Sequence, residues 1–100
     1  MKILLVCSSG MSTSLLVSKM REAAKKQGIN VEIDATGASQ IEKSTDVDVV
    51  LLGPQVRYLL NDMRKEMEGK GIPVDVINNL DYGTMNGEKV LNFAIDLMNK

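Results

Sequence analysis

The pattern of apolar and polar positions changes period several times along the chain. Residues 2–7 (KILLVC) and 47–52 (VDVVLL) contain continuous apolar runs, as expected for strands covered on both faces of a sheet. Residues 30–35 and 73–77 instead alternate apolar with acidic positions, in "VEIDA" and "VDVI", which suits strands at a sheet's edges. Between these segments the period lengthens to that of a helix. Over 12–27, Leu15, Leu16, Met20, Ala23 and Ala24 share one face, and Gly28 is placed to stop the helix. Over 55–68, behind an opening Pro54, Val56, Leu59, Leu60, Met63 and Met67 fall at i, i+3, i+4, i+7 and i+11. A last helix over 88–99 carries Val90, Leu91, Ala94, Ile95, Leu97 and Met98, and a short, weak one is expected at 39–44. No internal repeat, low-complexity stretch or linker stands out.

Alternating strands and helices predict an α/β fold, a single domain over 1–100 with a four-stranded parallel sheet and helices on both faces. The two continuously apolar strands belong at the centre. Right-handed crossovers then give the order 2-1-3-4. The connections diverge between strands one and three, so a crevice opens beyond the C-terminal ends of those two strands. Cys7 and the run Gly53-Pro54-Gln55 stand there.

Composition narrows what the crevice can do. Twelve basic and thirteen acidic residues give a net charge of −1. That balance does not suit a nucleic-acid binder, whose affinity comes mainly from neutralising phosphates, and three aromatics without Trp offer no stacking platform. There is no histidine, so the usual general base near neutral pH is missing and a metal site would have to rest on carboxylates. We expect no metal and no cofactor. The single cysteine cannot form an internal disulfide, no apolar run is long enough to span a bilayer, and no export signal leads the chain. These features imply a cytoplasmic domain. Its chemistry must come from the thiol, a carboxylate, a lysine or a partner.

The segment from Ser8 to Ser14 leaves a strand and enters a helix, so its amides lack helical partners and converge on one point. The helix dipole adds roughly half a positive charge there. Gly10 permits a turn that a β-carbon would block. An anion, phosphate above all, is the natural occupant, held by Ser8, Ser9, Gly10, Met11, Ser12, Thr13 and Ser14. The same field favours the nucleophilic thiolate of Cys7. The plainer alternatives are a small hydrophobe ending a buried strand, a helix cap built from hydroxyls, and a core plug at Met11.

Other phosphate and redox motifs fit poorly. A Walker A loop needs a second glycine and a lysine, a dinucleotide fingerprint needs three spaced glycines, and a thioredoxin site needs a second cysteine. The serious rival is the low-molecular-weight tyrosine phosphatase, with C-x5-R-[ST] between a strand and a helix. Here Thr13 stands where its arginine would clamp the transferring phosphoryl group. Asp81-Tyr82 only faintly matches that family's Asp-Pro acid loop. A thiol beside a phosphate cradle but without the arginine reads as an acceptor.

Three blocks carry a family resemblance: "CSSGMSTSLLVSKM" (7–20), "DVVLLGPQVRYLL" (48–60) and "VDVINNLDYGTMNG" (74–87). Together they resemble the enzyme IIB component of the bacterial phosphoenolpyruvate-dependent sugar phosphotransferase system, in its lactose/cellobiose/chitobiose class. The likeness runs through nearly the whole chain. It implies a fold like that of low-molecular-weight tyrosine phosphatase and a relay: enzyme IIA passes phosphate from a histidine to Cys7, and phosphocysteine passes it to a sugar held by the membrane component, enzyme IIC. On the matching positions, amides of residues 8–14 would cradle the phosphate, with Pro54, Gln55 and Tyr82 at the rim. Lactose, cellobiose and chitobiose remain open as sugars. Met11, Leu15, Pro54, Val56, Leu80 and Met85 are candidates for an uncharged docking rim, and an exposed site on so small a domain favours a monomer. The alternatives are a phosphatase-type hydrolase with Cys7 as nucleophile, and a non-enzymatic module binding an anion or partner at the same crevice.

Overall fold

The structure is a computed structural model that describes residues 1–7, 14–37 and 46–99. Its elements are β1 (Lys2–Cys7), α1 (Ser14–Gln27), β2 (Glu32–Gly37), β3 (Val49–Leu52), a 3₁₀ helix (Pro54–Leu59) leading into α2 (Leu60–Glu68), β4 (Val74–Val76), α3 (Asn79–Gly83) and α4 (Gly87–Met98). The four strands form one parallel sheet in the order β2-β1-β3-β4, as the apolar pattern predicts. The expected helix at 39–44 and residues 12 and 13 of the first helix lie outside the described residues.

Strand alternation divides the interior into two layers. Ile3 and Leu5 face the same way as Ile33, Val49, Leu51 and Ile77, and pack under α1 and α4. Leu4 and Val6 face the other way with Val50, Leu52 and Val74, and pack under Val56, Met63 and Met67. Central strands buried on both sides therefore need apolar residues at every position, which is what β1 and β3 provide.

α1 and α2 stop by the same device. Ile29 N donates to Ala24 O at 2.9 Å and Gly28 N to Lys25 O at 3.3 Å; Ile72 N donates to Met67 O and Gly71 N to Glu68 O, both at 3.1 Å. These are the paired bonds of a Schellman closure, whose turning residue needs positive φ. Gly28 and Gly71 supply it at 69° and 70°. The two segments share a sequence pattern, M-R-x6-G-I-x-V, beginning at Met20 and at Met63. This short repeat escapes a scan for long ones.

Several boundaries and faces differ from the sequence reading. β2 starts at Glu32 rather than residue 30, because the α1 closure uses the residues before it. β3 and β4 are shorter than expected, although Asp48 N to Lys2 O (2.9 Å), Val50 N to Pro73 O (3.0 Å) and Ile77 N to Leu52 O (2.8 Å) extend the pairing past their ends. On α1, Val17 is buried and Leu15 is exposed, so the buried face is rotated from the predicted one. The helix expected over 55–68 begins as the 3₁₀ helix and continues as α2, and within the 3₁₀ helix the buried Val56 departs from helical backbone at φ −116° and ψ 24°.

Candidate functional site

β1 and β3 lie side by side, with Val6 opposite Leu52. Gly53 N donates to Val6 O at 2.8 Å, which carries the pairing to the last turn before Cys7. The crossovers leave these two strands on opposite faces, one into α1 and the other into the 3₁₀ helix and α2. The chain thus diverges at the C-terminal ends of β1 and β3, the place where the strand order leads one to expect a crevice.

Cys7 is the last residue of β1, and its accessible surface is 0%. Residues 8 to 13, including Ser8, Ser9, Gly10, Met11, Ser12 and Thr13 of the expected cradle, lie outside the described residues. Ser14 opens α1 and is exposed. The other predicted residues come together around Gly53. A β-carbon placed there would lie 2.7 Å from Gln55 Oε1, 3.4 Å from Val6 O and 3.5 Å from Tyr82 Cε2. The close contact is with the tip of the exposed Gln55 side chain, while Val6 O and Tyr82 Cε2 stand at ordinary packing distance, so these three residues meet at the Gly53 corner. Pro54 is half-buried and Gln55 exposed, while Tyr82 is 7% exposed and packs in the core cluster beneath α1 and α4. Its ring reaches the Gly53 corner from inside the fold.

Tyr82 reaches that place through α3, an element the sequence reading missed. α3 has no apolar stripe and is made by its ends. Asn78 Oδ1 accepts from Leu80 N at 2.7 Å and from Asp81 N at 3.4 Å, and Thr84 Oγ1 donates to Leu80 O at 2.8 Å. Asn78 before "LDY" is the signal that could have revealed it. Met85 follows in the left-handed region at φ 54°, and Asn86 Oδ1 then accepts from Lys89 N at 3.1 Å to start α4.

The expected docking rim is only partly present. Leu15 and Leu80 are 54% and 68% exposed, but Val56 is buried and Pro54 and Met85 are half-buried. Val56 belongs to the core because the kink of the 3₁₀ helix turns it inward. Tyr58, at 73% exposure on that helix, is an exposed aromatic that the apolar stripe passes over.

A family description, the lactose/cellobiose-specific IIB subunit of the sugar phosphotransferase system, matches residues 2–93. The chain belongs to this family. It is 48% identical to the galactose-specific EIIB component of Lactococcus lactis subsp. cremoris, over 97% of this chain and 95% of that one. It is 46% identical to the oligo-beta-mannoside-specific EIIB component of Bacillus subtilis, with the same coverage. The solution structure of the cellobiose-specific IIB component from Borrelia burgdorferi superposes with TM-score 0.81 at 48% identity, over 99% of this chain and 92% of that one. The lactose-specific IIB domain of Streptococcus pneumoniae, at 21% identity, shares the fold with TM-score 0.87 over 97% and 96%. A lactose-specific EIICB component of Lactococcus lactis subsp. lactis is 29% identical over 92% of this chain, which spans 17% of that longer protein. The IIB family acts in sugar phosphotransfer alongside IIA and IIC components, in some relatives fused to IIC. The phosphatase-type hydrolase is not favoured by these likenesses. Among the described residues, no helix is long and apolar enough to cross a membrane.

Proposed function

We propose that Cys7 is the phosphoryl carrier of this IIB chain. Phosphohistidine on IIA is the donor: the Cys7 sulfur attacks phosphorus, the S–P bond forms as the P–N bond breaks, and the imidazole leaves carrying the proton the thiol gives up. In the second step a hydroxyl of a sugar bound by IIC attacks. An O–P bond forms, the S–P bond breaks, and the hydroxyl proton passes to the released thiolate or to solvent. Amides of residues 8–14 hold the phosphate between the steps, dispersing its charge without an arginine that would activate it toward water.

The single observation that carries this reading is the position of the only thiol at the end of β1, where the strand order diverges, in a chain of the IIB family. Cys7 is fully buried, so the transfer requires its sulfur to become accessible to the in-line donor. Leu15, Leu80, Pro54 and Gln55 then frame the approach, with IIA and IIC using one small, transient surface in turn. The domain works as a cytoplasmic monomer. Its sugar is a β-linked disaccharide such as cellobiose, chitobiose or lactose, selected by IIC; relatives named for galactose and cellobiose are equally similar to this chain, at 48% identity.

Incubation with phosphoenolpyruvate, the general phosphotransfer proteins and a IIA should yield one thiol-linked phosphate per chain by intact mass. Cys7→Ser should abolish it. Uptake that survives this change, or steady release of inorganic phosphate, would overturn the proposal. Gly10→Val should impair phosphorylation more than folding; equal loss of both would make Gly10 purely structural.

A further inference from the structure

β2 and β4 are the two edges of the sheet, and each outer rim meets an arginine. On β4, Pro73 O and Ile77 N bond to β3, so the peptide groups of Val74 and Val76 turn away from the sheet. Arg64 Nε donates to Val74 O at 3.2 Å, Val76 N donates to Asp75 Oδ1 at 2.7 Å, and Arg64 Nη2 lies 3.7 Å from that same oxygen. On β2, Arg21 Nη2 donates to the outward Ile33 O at 2.8 Å and lies 3.8 Å from Asp34 Oδ1. Arg21 and Arg64 hold the same place in the two M-R-x6-G-I-x-V segments.

Stability does not account for such a clasp. Arg64 is 53% and Asp75 34% exposed, and pairs this exposed contribute at most about 1 kcal/mol. The groups they occupy are more telling. Let β4 meet the β4 of a second copy, antiparallel, about a two-fold axis at Asp75. Val76 N–H would then donate to the Val74 carbonyl of the second copy, and the reverse bond would form by symmetry. Asp75 and Arg64 cover that donor and that acceptor. The two Asp75 carboxylates would also face each other across the axis, a repulsive placement. Beside the strand lie a groove of about 620 Å³, lined in part by Ile72, Leu97 and Met98, and another of about 450 Å³ reaching Val90 and Phe93. Apolar side chains of a docked edge would find room there.

We propose that β4 is a pairing edge for a second copy of this chain, kept closed by the Arg64–Asp75 clasp. The second copy is the occupant because the blocked groups are complementary to themselves about Asp75, and because the guard carries the charge that repels its own image. Edge pairing is a standing hazard of open sheets, and charged residues on an edge strand are a common defence.

Sedimentation across a concentration series tests this. Arg64→Ala with Asp75→Ala should raise the self-association constant at least tenfold over the native chain, with an unchanged far-ultraviolet dichroism spectrum. Adding Val76→Pro removes an outward N–H that the sheet does not use and should return association to the native level. Arg64→Ala alone should give a smaller rise in the same direction. The proposal fails if the double variant associates no more than the native chain, if Val76→Pro leaves the gain intact, or if the double variant unfolds, which would make the clasp a support of the fold.

Discussion

The two faces of the sheet are covered in different ways. On one, α1 and α4 lie together over Ile3, Leu5, Val49 and Leu51, and meet so closely that a β-carbon at Gly87 would sit 2.3 Å from the backbone carbon of Lys19. On the other, among the described residues, one helix entered through the kinked 3₁₀ turn covers Leu4, Val6, Val50 and Leu52 with Val56, Met63 and Met67. Buried methionines lie on both faces, Met20 on the first and Met63 and Met67 on the second. The rigidity of the first therefore comes from the backbone-to-backbone approach, while the second, packed through side chains, is the more adaptable. The difference teaches where the crevice takes its reference. The rigid face fixes α1, the helix entered by the segment that follows Cys7. The adaptable face carries Gly53-Pro54-Gln55 and can shift beneath them.

Truncating one large side chain on each face tests the contrast directly. Leu91→Ala, on the buried face of α4, should cost about 4 kcal/mol of unfolding free energy in urea denaturation, near the top of the usual range. Gly87→Ala should follow at about 3 kcal/mol, since the backbone of Lys19 must move to admit the new carbon. Met63→Ala should cost about 2 kcal/mol, because the surrounding methionine and valine side chains can relax into the space. Equal losses at 91 and 63 would erase the distinction between the faces. The smallest effect is expected at Asn78→Ala, about 1 kcal/mol from the lost cap of α3. Phosphorylation by a IIA should slow further than that figure implies, because α3 carries Tyr82 to the crevice; transfer at the native rate would remove Tyr82 from the site.

What the sequence disclosed follows from how local each signal is. Continuous apolar runs at 3–7 and 49–52 mark central strands because both their faces are covered, and acidic alternation marks β2 and β4 as edges. Gly28 is legible as a stop because positive φ selects glycine. Leu15 and Val17 exchange places because one residue of helical phase decides which of two neighbouring apolar positions is buried. Val56 keeps its predicted burial while the helix around it tightens, so periodicity gives the face but not the hydrogen bonding. α3 stays hidden because caps, rather than an apolar stripe, hold it. The convergence of Val6, Gly53, Gln55 and Tyr82 depends on sheet register and on the turn at Met85, which no local window contains. The arginine clasps are hidden for the same reason, since each joins residues ten or more positions apart.

The crowding between Gly87 and Lys19 bears on how the chain can vary. The Lys19 atoms nearest the missing β-carbon are its carbonyl carbon, carbonyl oxygen and Cβ, which every residue but glycine possesses. Nothing in that contact depends on the ammonium or its methylene stem. Position 19 is therefore open to almost any replacement, while any side chain at position 87 must push that backbone aside: a fixed hydrogen facing an interchangeable neighbour.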